Sequence, residues 1–549
     1  LGLAHVLAAS GMQISLIIFL GVIFTKRLSK FISIMITSFT VIFYMLLTGL
    51  PPSILRAGLA GLIVLFVSTK RNPVDSFKVL MIVSTTLAIY EPLILFDIGF
   101  QFSILATFAL LYASPAISKK LEFLPPFIAE TISLILSAQL FVLPLQLFYF
   151  GQFSWLFLPA NILAAVFVDL LTYMAILTLT FGLIIPISGY IFGNILFFIL
   201  SIFLFFIHLL AKLPFSVSYI ARPEILTVIL LYLLFFLIIE LIKITSKSRL
   251  KFNFKFISLM IIFVFCTAGF TYNKIENQQK LEVDFINVGQ GDSSMIKTPE
   301  GKIILIDCGQ AYQTNRGNKI INYDAAKKYI VPYLKQKGIK TIDLLILTHP
   351  DSDHIGGFNS IAENFEIKSV LDSGQTDDSN IYNEALGTIL KQNIELKTAS
   401  KGIILKENDF SLNIINEIHP ESIAQHSYNN NNAIAIKLVY KKVSMLFMAD
   451  LEKEAEFRLS DAPIDLKADV LKVGHHGSKT STSDQFLLKV MPKISVISVG
   501  KYNHYGHPAK SVIERLESSG SKIYRTDNDG GVEITSDGEK LKTITTKNY

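Results

Sequence analysis

The segment DLLILTHPDSDHIGG, residues 343–357, places His349, Asp351, Asp353 and His354 within six residues, between a strand-like apolar run and a glycine pair. Imidazole nitrogens and carboxylate oxygens are side-chain ligands of divalent cations. A strand ending in a turn delivers all four to one point, and the loop turns them to different sides: His349 and Asp351 toward one ion, Asp353 and His354 toward another. That arrangement can support two-ion hydrolysis, in which a bridging water is acidified and the oxygens of an in-line displacement at phosphorus are clamped.

More residues of ligand type stand at strand ends. Asp307 closes KIILID, Asp450 closes VSMLFMAD, and His475-His476 follow VLKVG ahead of Gly477-Ser478. With the 349–354 cluster, their order and spacing resemble the metallo-β-lactamase fold. The resemblance implies that Asp450 bridges two ions, that one of His475 and His476 completes the second site, and that Asp307 supports the histidine ligands from behind. Two positions depart from the usual His-x-His-x-Asp-His pattern. Asp351 replaces the second histidine, and the asparagine tract 429–432 stands where a histidine is expected before the strand leading to Asp450; His419 and His426 are the only histidines between the motif and Asp450. An oxygen-richer shell favours harder ions, so Mn²⁺ or Mg²⁺ fits as well as Zn²⁺. Downstream, NHYGHP (503–508) and YRTDNDGG (524–531) supply His504, His507, Arg525, Thr526 and Asp527, with Lys501 just before them. Lys501, Arg525 and Asp527 are candidates for substrate binding, and Asp353, Asp307 and His507 form the candidate catalytic set.

The elements that must position these residues differ sharply between the two halves. The 549 residues carry 94 charged side chains, 17%, where soluble proteins average about 25%. Residues 1–280 hold 27 of them (18 basic, 9 acidic), which leaves 94 − 27 = 67 in the last 269 residues. A membrane domain (1–275) joined to a soluble one (281–549) follows. The net charge of +6 splits into +9 and −3, so the soluble half is no bulk polyanion binder, and any nucleic acid must be held in a local groove. Its short β-like runs alternate with helical stretches at 324–336 and 508–518, an αβ/βα layered domain of about 270 residues. Cys266 and Cys308 are a poor basis for a disulfide. The chain opens on Leu1 with no basic segment ahead of the first apolar run, which reads as a truncated start and not as a signal peptide.

Apolar runs recur at 6–24, 31–50, 53–69, 78–96, 98–115, 127–149, 156–186, 189–211, 225–243 and 253–272, an expectation of about ten crossings. Lys26, Arg27 and Lys30, then Lys70, Arg71 and Lys78, then Lys119 and Lys120 fill alternate gaps, which the positive-inside rule places in the cytoplasm. Carried forward, this alternation brings the chain out on the external face before the soluble domain. Arg56, Asp97, Gln101, Gln139, Gln146 and Asp169 are polar residues inside apolar runs and candidates for a conduction path; an interhelical hydrogen bond or an interfacial position is the alternative for each. His5 is read as a helix contact.

The whole chain resembles the DNA-internalisation competence proteins of the ComEC family. In the membrane half the resemblance rests on GLAHVLAASGMQISLI (2–17), LTGLPPSILRAGLAGL (47–62), FDIGFQFSILA (96–106) and LPLQLFYFGQFSWLFLPANILA (143–164). In the soluble half it rests on FINVGQGDSSMI (285–296), THPDSDHIGG (348–357), LKVGHHGSKTS (471–481) and YGHP (505–508). It implies a cytoplasmic-membrane channel that passes a single DNA strand inward, with an external metal-dependent nuclease domain that degrades the other strand. Asparagines before the bridging aspartate are usual in that family, and Gln290, Gly291 and Asp292 form a loop near the metals. Expected partners are DNA, membrane lipid, a DNA receptor, a homo-oligomeric copy and a separate ATPase, since no G-x-x-x-x-G-K-[ST] loop is present. A transporter with a non-catalytic metal domain and a membrane-anchored phosphodiester hydrolase are the competing readings.

Overall fold

The computed structural model describes residues 2–3, 11–67, 74–213, 216–245, 260–264, 267, 280–316, 319–417 and 426–546. The chain divides into two compact units, Leu1–Thr271 and Tyr272–Tyr549.

The first unit is helical: α1 (Gly11–Phe24), α2 (Lys30–Leu47), α3 (Pro52–Val67), α4 (Ser76–Tyr90), α5 (Ile98–Tyr112), α6 (Ser114–Lys120), α7 (Pro126–Phe150), α8 (Phe157–Ile184), α9 (Pro186–Ala211) and α10 (Ile225–Thr245). Five of the helices, α2 and α7 to α10, are long and apolar enough to cross a bilayer, and α5 with α6, bent by 46°, makes a sixth if taken as one span. The expectation of ten is therefore met for five or six among the described residues. Helices α1, α3 and α4 are apolar but short, and at 1.5 Å per residue 14 to 16 residues fall below the roughly 30 Å of a hydrocarbon core. The tenth run, 253–272, lies almost wholly outside the described residues, as does His5. The run at 156–186 is one continuous helix. Where α8 meets α9, Gly182 and Gly189 touch, and a Cβ on Gly189 would sit 2.6 Å from the Cα of Gly182. Small residues allow this approach, which in lipid is the main source of helix–helix attraction.

The polar residues in this unit are largely satisfied locally. Asp97 caps α5 through the Phe100 N–H (2.7 Å), Gln101 accepts from the Tyr149 hydroxyl (2.9 Å), and Gln139 donates to Gln146 (3.1 Å). Arg56 is buried, with its Nε donating to Ser103 at 2.8 Å, and Asp169 is exposed on α8.

The second unit is a four-layer sandwich. The strands of its two large sheets are β1 (Leu281–Phe285), β2 (Ser294–Lys297), β3 (Ile303–Ile306), β4 (Leu344–Leu347), β5 (Ser369–Asp372), β6 (Glu395–Thr398), β7 (Gly402–Glu407), β8 (Phe410–Ile414), β9 (Ile436–Tyr440), β10 (Val443–Phe447), β11 (Val470–Lys472), β12 (Ile494–Ile497), β13 (Lys522–Arg525), β14 (Val532–Ser536) and β15 (Leu541–Thr545). One sheet runs β6-β5-β4-β3-β2-β1-β14-β15 and the other β7-β8-β9-β10-β11-β12-β13. Each sheet is half antiparallel and half parallel: β3 to β6 are parallel in the first, β10 to β13 in the second. The parallel strands are apolar on both faces because both are covered. In β3, Ile304 and Ile306 face the second sheet while Ile303 and Leu305 pack under helices Val331–Gln336 and Phe358–Asn364. In β10, Met445 and Phe447 join the inter-sheet core while Leu446 packs under helices Lys453–Asp461 and Asp484–Val490.

Replacing Gly189 by Leu overfills the α8–α9 contact and is expected to cost about 1–3 kcal/mol. A lower melting temperature of the detergent-solubilised chain would register it, and an unchanged one would contradict the contact.

Candidate metal centre

The parallel halves of the two sheets end at a common edge, the usual place for chemistry in such sheets. Asp307 follows β3, His349 to His354 follow β4, Asp450 follows β10, and His475-His476 follow β11. Backbone strain concentrates there: Asp307, Ala449, His475 and His476 all have positive φ, at +60°, +43°, +46° and +53°. Non-glycine residues hold that conformation at a cost of about 1–3 kcal/mol each, and such costs gather where a side chain must be aimed.

Asp353, His354, Asp450 and His476 each offer one ligand atom, all within 4.8 Å of one another. His476 Nε2 lies 3.2 Å from Asp353 and 3.5 Å from Asp450, and His354 Nε2 lies 3.3 Å from Asp450. The His349 ring stands 4.1 Å from that of His354, and its Nε2 is 3.8 Å from Asp351. The paired histidines separate: His476 is buried in the cluster, whereas His475 sits outward with Nδ1 3.2 Å from Glu452. His507 is half-buried, its ring 5.8 Å from that of His475. Burial and the electrostatic influence of the neighbouring His476 and His475 push its pKa down to about 4.

Behind each imidazole stands an aspartate. Asp307 Oδ2 accepts from His354 Nδ1 at 2.8 Å, and its two oxygens also accept from the Thr348 N–H and hydroxyl at 2.9 and 2.8 Å. Asp292 Oδ1 lies 3.4 Å from His476 Nδ1, which also donates to the Ser498 carbonyl at 3.0 Å. Asp292 is itself paired with buried Lys472 at 2.7 Å. The loop that carries Asp292 needs Gly291: φ is +115° and an added Cβ would sit 2.3 Å from the Asp353 carbonyl oxygen. Gly356 and Gly357, likewise, allow the 352–357 turn to lie against the backbone of Ala311 and Cys308.

These residues fit divalent cations on their own geometry. His349 Nε2, His354 Nε2 and one oxygen each of Asp450 and Asp292 are buried without a hydrogen-bond partner, a costly state unless something else binds there. Burial opposes charge on every member; with the neighbouring His354 it lowers the pKa of His349, whereas at His476, His354 and Asp353 the ion pairs prevail. Asp450, Asp292 and Asp353 raise His476 to about 10, Asp450 and Asp307 raise His354, and His476 and His354 lower Asp353 to about 2. A pocket that pulls protons onto imidazoles this strongly pulls cations by the same field.

The remaining candidates make other contacts. Arg525 forks onto Asp527 at 3.0 and 2.7 Å, so its charge is matched within the chain and not held ready for a phosphate. Lys501 lies over the Tyr502 ring at 5.8 Å. His419 falls outside the described residues; His426 begins a short helix, His426–Asn431, that carries most of the asparagine tract. Sequence reasoning missed Lys472 and Glu452, which earn no notice until Asp292 and His475 are seen beside them.

Comparison with known proteins divides the chain at the same place. Residues 1–244 match the family model described as Competence protein, and residues 286–501 match that of the metallo-β-lactamase superfamily. The second unit is thus a metallo-β-lactamase domain, of the class that binds divalent metal, and the first is an apolar competence domain of a membrane protein. ComE operon protein 3 of Bacillus subtilis is 28% identical over 97% of this chain and 68% of its own length. Recombination protein 2 of Haemophilus influenzae is 31% identical over 48% of this chain and 29% of its own, and competence protein ComA of Neisseria gonorrhoeae 29% identical over 49% and 35%. In both units, and over nearly its whole length, the chain is similar to the ComEC family of competence proteins.

Two outcomes follow from the buried charges. Metal must displace the protons held on His354 and His476, so adding Mn²⁺ or Zn²⁺ to the metal-free chain in weak buffer at pH 7 is expected to acidify the solution, and no acidification would contradict the site. The sign for His476 is that a folded pKa near 10 against about 6.5 unfolded stabilises the metal-free fold below pH 6.5 and fades as pH rises toward 10. Separately, Lys472→Met leaves Asp292 buried and unpaired, a loss of about 3 kcal/mol or more. Lys472→Met with Asp292→Asn recovers much of it; thermal unfolding of the two single variants and the double would show the coupling, and additive losses would contradict it.

Proposed function

We propose that this protein is a DNA-uptake channel of the cytoplasmic membrane whose metallo-β-lactamase unit is a metal-dependent deoxyribonuclease. The observation that carries the enzymatic part is the group of buried, unsatisfied ligand atoms on His349, His354 and Asp450 at the common edge of the two sheets. The relatives named for competence, joined to a multi-helix apolar unit, support the transport part. A single anchoring helix suffices to hold a hydrolase at a membrane, so five or six candidate spans favour conduction.

His349 and Asp351 with Asp450 would hold one cation, and Asp353, His354 and His476 with Asp450 the other. Two divalent cations bound there would supply an activated water and charge to clamp the phosphodiester oxygens. Asp307 and the Ser498 carbonyl, the latter with Asp292 beside it, hold the imidazoles of His354 and His476 with Nε2 forward. His507, neutral at pH 7, can donate a hydrogen bond to a phosphate oxygen or the leaving group without contributing a full charge. The basic gaps at 26–30, 70–78 and 119–120 support a metal unit on the outer face. There it would meet incoming DNA and degrade the strand that does not enter, while a separate ATPase draws the other inward.

The full chain in lipid nanodiscs, given labelled single- and double-stranded DNA with Mn²⁺, Mg²⁺ or Zn²⁺, is expected to cut, with cutting abolished by chelator. Second-sphere changes at metal sites cost about 10- to 100-fold, so Asp353→Ala and Asp450→Ala, which remove direct ligands, should lose about 100-fold or more. A folded chain that cuts under no metal would leave a transporter with a non-catalytic metal domain.

A further inference from the structure

A series of rings runs from the candidate centre toward the surface. His354 and His476 stand 5.5 Å apart, His476 and His475 6.2 Å, His475 and His507 5.8 Å, and Tyr505 closes on His507 at 5.7 Å with 26° between the planes. Beyond Tyr505 the series ends in solvent: Tyr505 is 69% exposed and Tyr502, three residues away, 85%. Two aromatic rings this open are costly to keep in water.

The loop that presents them is pinned. Asn503 Nδ2 donates to the carbonyls of Gly500 and His507, both at 2.8 Å, and Asn503 Oδ1 accepts from the His507 N–H at 3.0 Å. At its base Val499 is bonded through both N–H and C=O to the Thr526 hydroxyl, at 2.8 and 3.0 Å. Gly500 lies so close to the Gln290 backbone that a Cβ there would come within 2.8 Å of its nitrogen. The loop backbone that carries the rings is therefore ordered before anything binds, which lowers the ordering cost of binding.

We propose that Tyr505, on the same loop as Lys501 and Tyr502, is a stacking platform for an unpaired nucleobase of the strand whose phosphodiester lies at the metal centre. The proposal rests on the phosphodiesterase reading above and specifies its substrate as a single strand. One side of the Tyr505 ring is taken by His507, and a base adding to the other continues the stack. Every base has a π face, so such a platform tolerates any sequence, and the Lys501 ammonium supplies charge for the backbone. It also answers the electrostatic problem: a half with a net charge of −3 cannot hold DNA by bulk attraction, but stacking is little weakened by that charge. A paired base has both faces covered by its neighbours and cannot use the platform.

The test compares two labelled strands of equal length on the full chain in nanodiscs with Mn²⁺: oligothymidylate, and the same backbone made wholly of abasic sites. Tyr505→Ala is expected to raise KM for oligothymidylate by about 5- to 150-fold, the range for loss of one stacked base, and to leave cutting of the abasic strand unchanged. Tyr505→Phe and Tyr505→Trp should retain wild-type KM, since the ring and not the hydroxyl acts. Equal effects of Tyr505→Ala on both strands, or none on either, would overturn the platform while leaving the nuclease intact. If the wild-type chain cuts neither strand, the phosphodiesterase reading fails instead. A strand carrying 2-aminopurine then decides stacking by itself: quenching on binding that is lost in Tyr505→Ala supports it, and equal quenching in both overturns it.

Discussion

Four carboxylates, those of Asp292, Asp307, Asp353 and Asp450, converge at one edge of a doubly layered sheet, three of them almost wholly buried. Like charges so placed repel strongly at low dielectric, and they are tolerable only if positive charge is interleaved among them. In this protein that charge is supplied by His354, His476 and Lys472, each within ion-pair distance of at least one of the four. Much of the surrounding structure serves this requirement. The two parallel half-sheets bring strand ends together, the left-handed backbone at Asp307, Ala449, His475 and His476 aims side chains inward, and Gly291 lets the Asp292 loop lie against the Asp353 carbonyl. A polypeptide that invests strain and buried charge in one place weakens itself there unless a ligand binds.

The helical unit answers a different solvent. Its helices are apolar nearly all round, so sequence periodicity carries little about which face meets a neighbour. Close approaches of small residues, as at Gly182 and Gly189, and a few hydrogen bonds between otherwise apolar helices, such as Arg56 to Ser103 and Tyr149 to Gln101, define contacts instead.

The parts of the centre carried by local sequence were legible. A strand, a turn and four ligand-type residues in a row announce themselves in 343–357, and Asp307, Asp450 and the histidine pair were marked by their places at the ends of apolar runs. The parts carried by distant contacts were not. Lys472 and Asp292 are 180 residues apart in the chain, and Glu452 gains meaning only when His475 is folded onto it. The choice between His475 and His476 depends on two successive left-handed residues, which composition does not reveal. Of the ten expected crossings, five or six are long enough among the described residues, because apolar runs of similar composition fold into helices of unequal length. Arg525 and Asp527 looked like a phosphate site from residue type, yet their spacing along the strand end lets them satisfy each other.

The proposed function stands on this edge of the sandwich holding divalent cations, with Asp450 among the residues that would bind them. Elemental analysis of the full chain after equilibration with Mn²⁺ or Zn²⁺ and removal of free metal tests it most directly. The account predicts two ions per chain, falling to one or none in a folded Asp450→Ala variant. A folded wild-type chain that retains no metal, or an Asp450→Ala variant that retains the full complement, would contradict it.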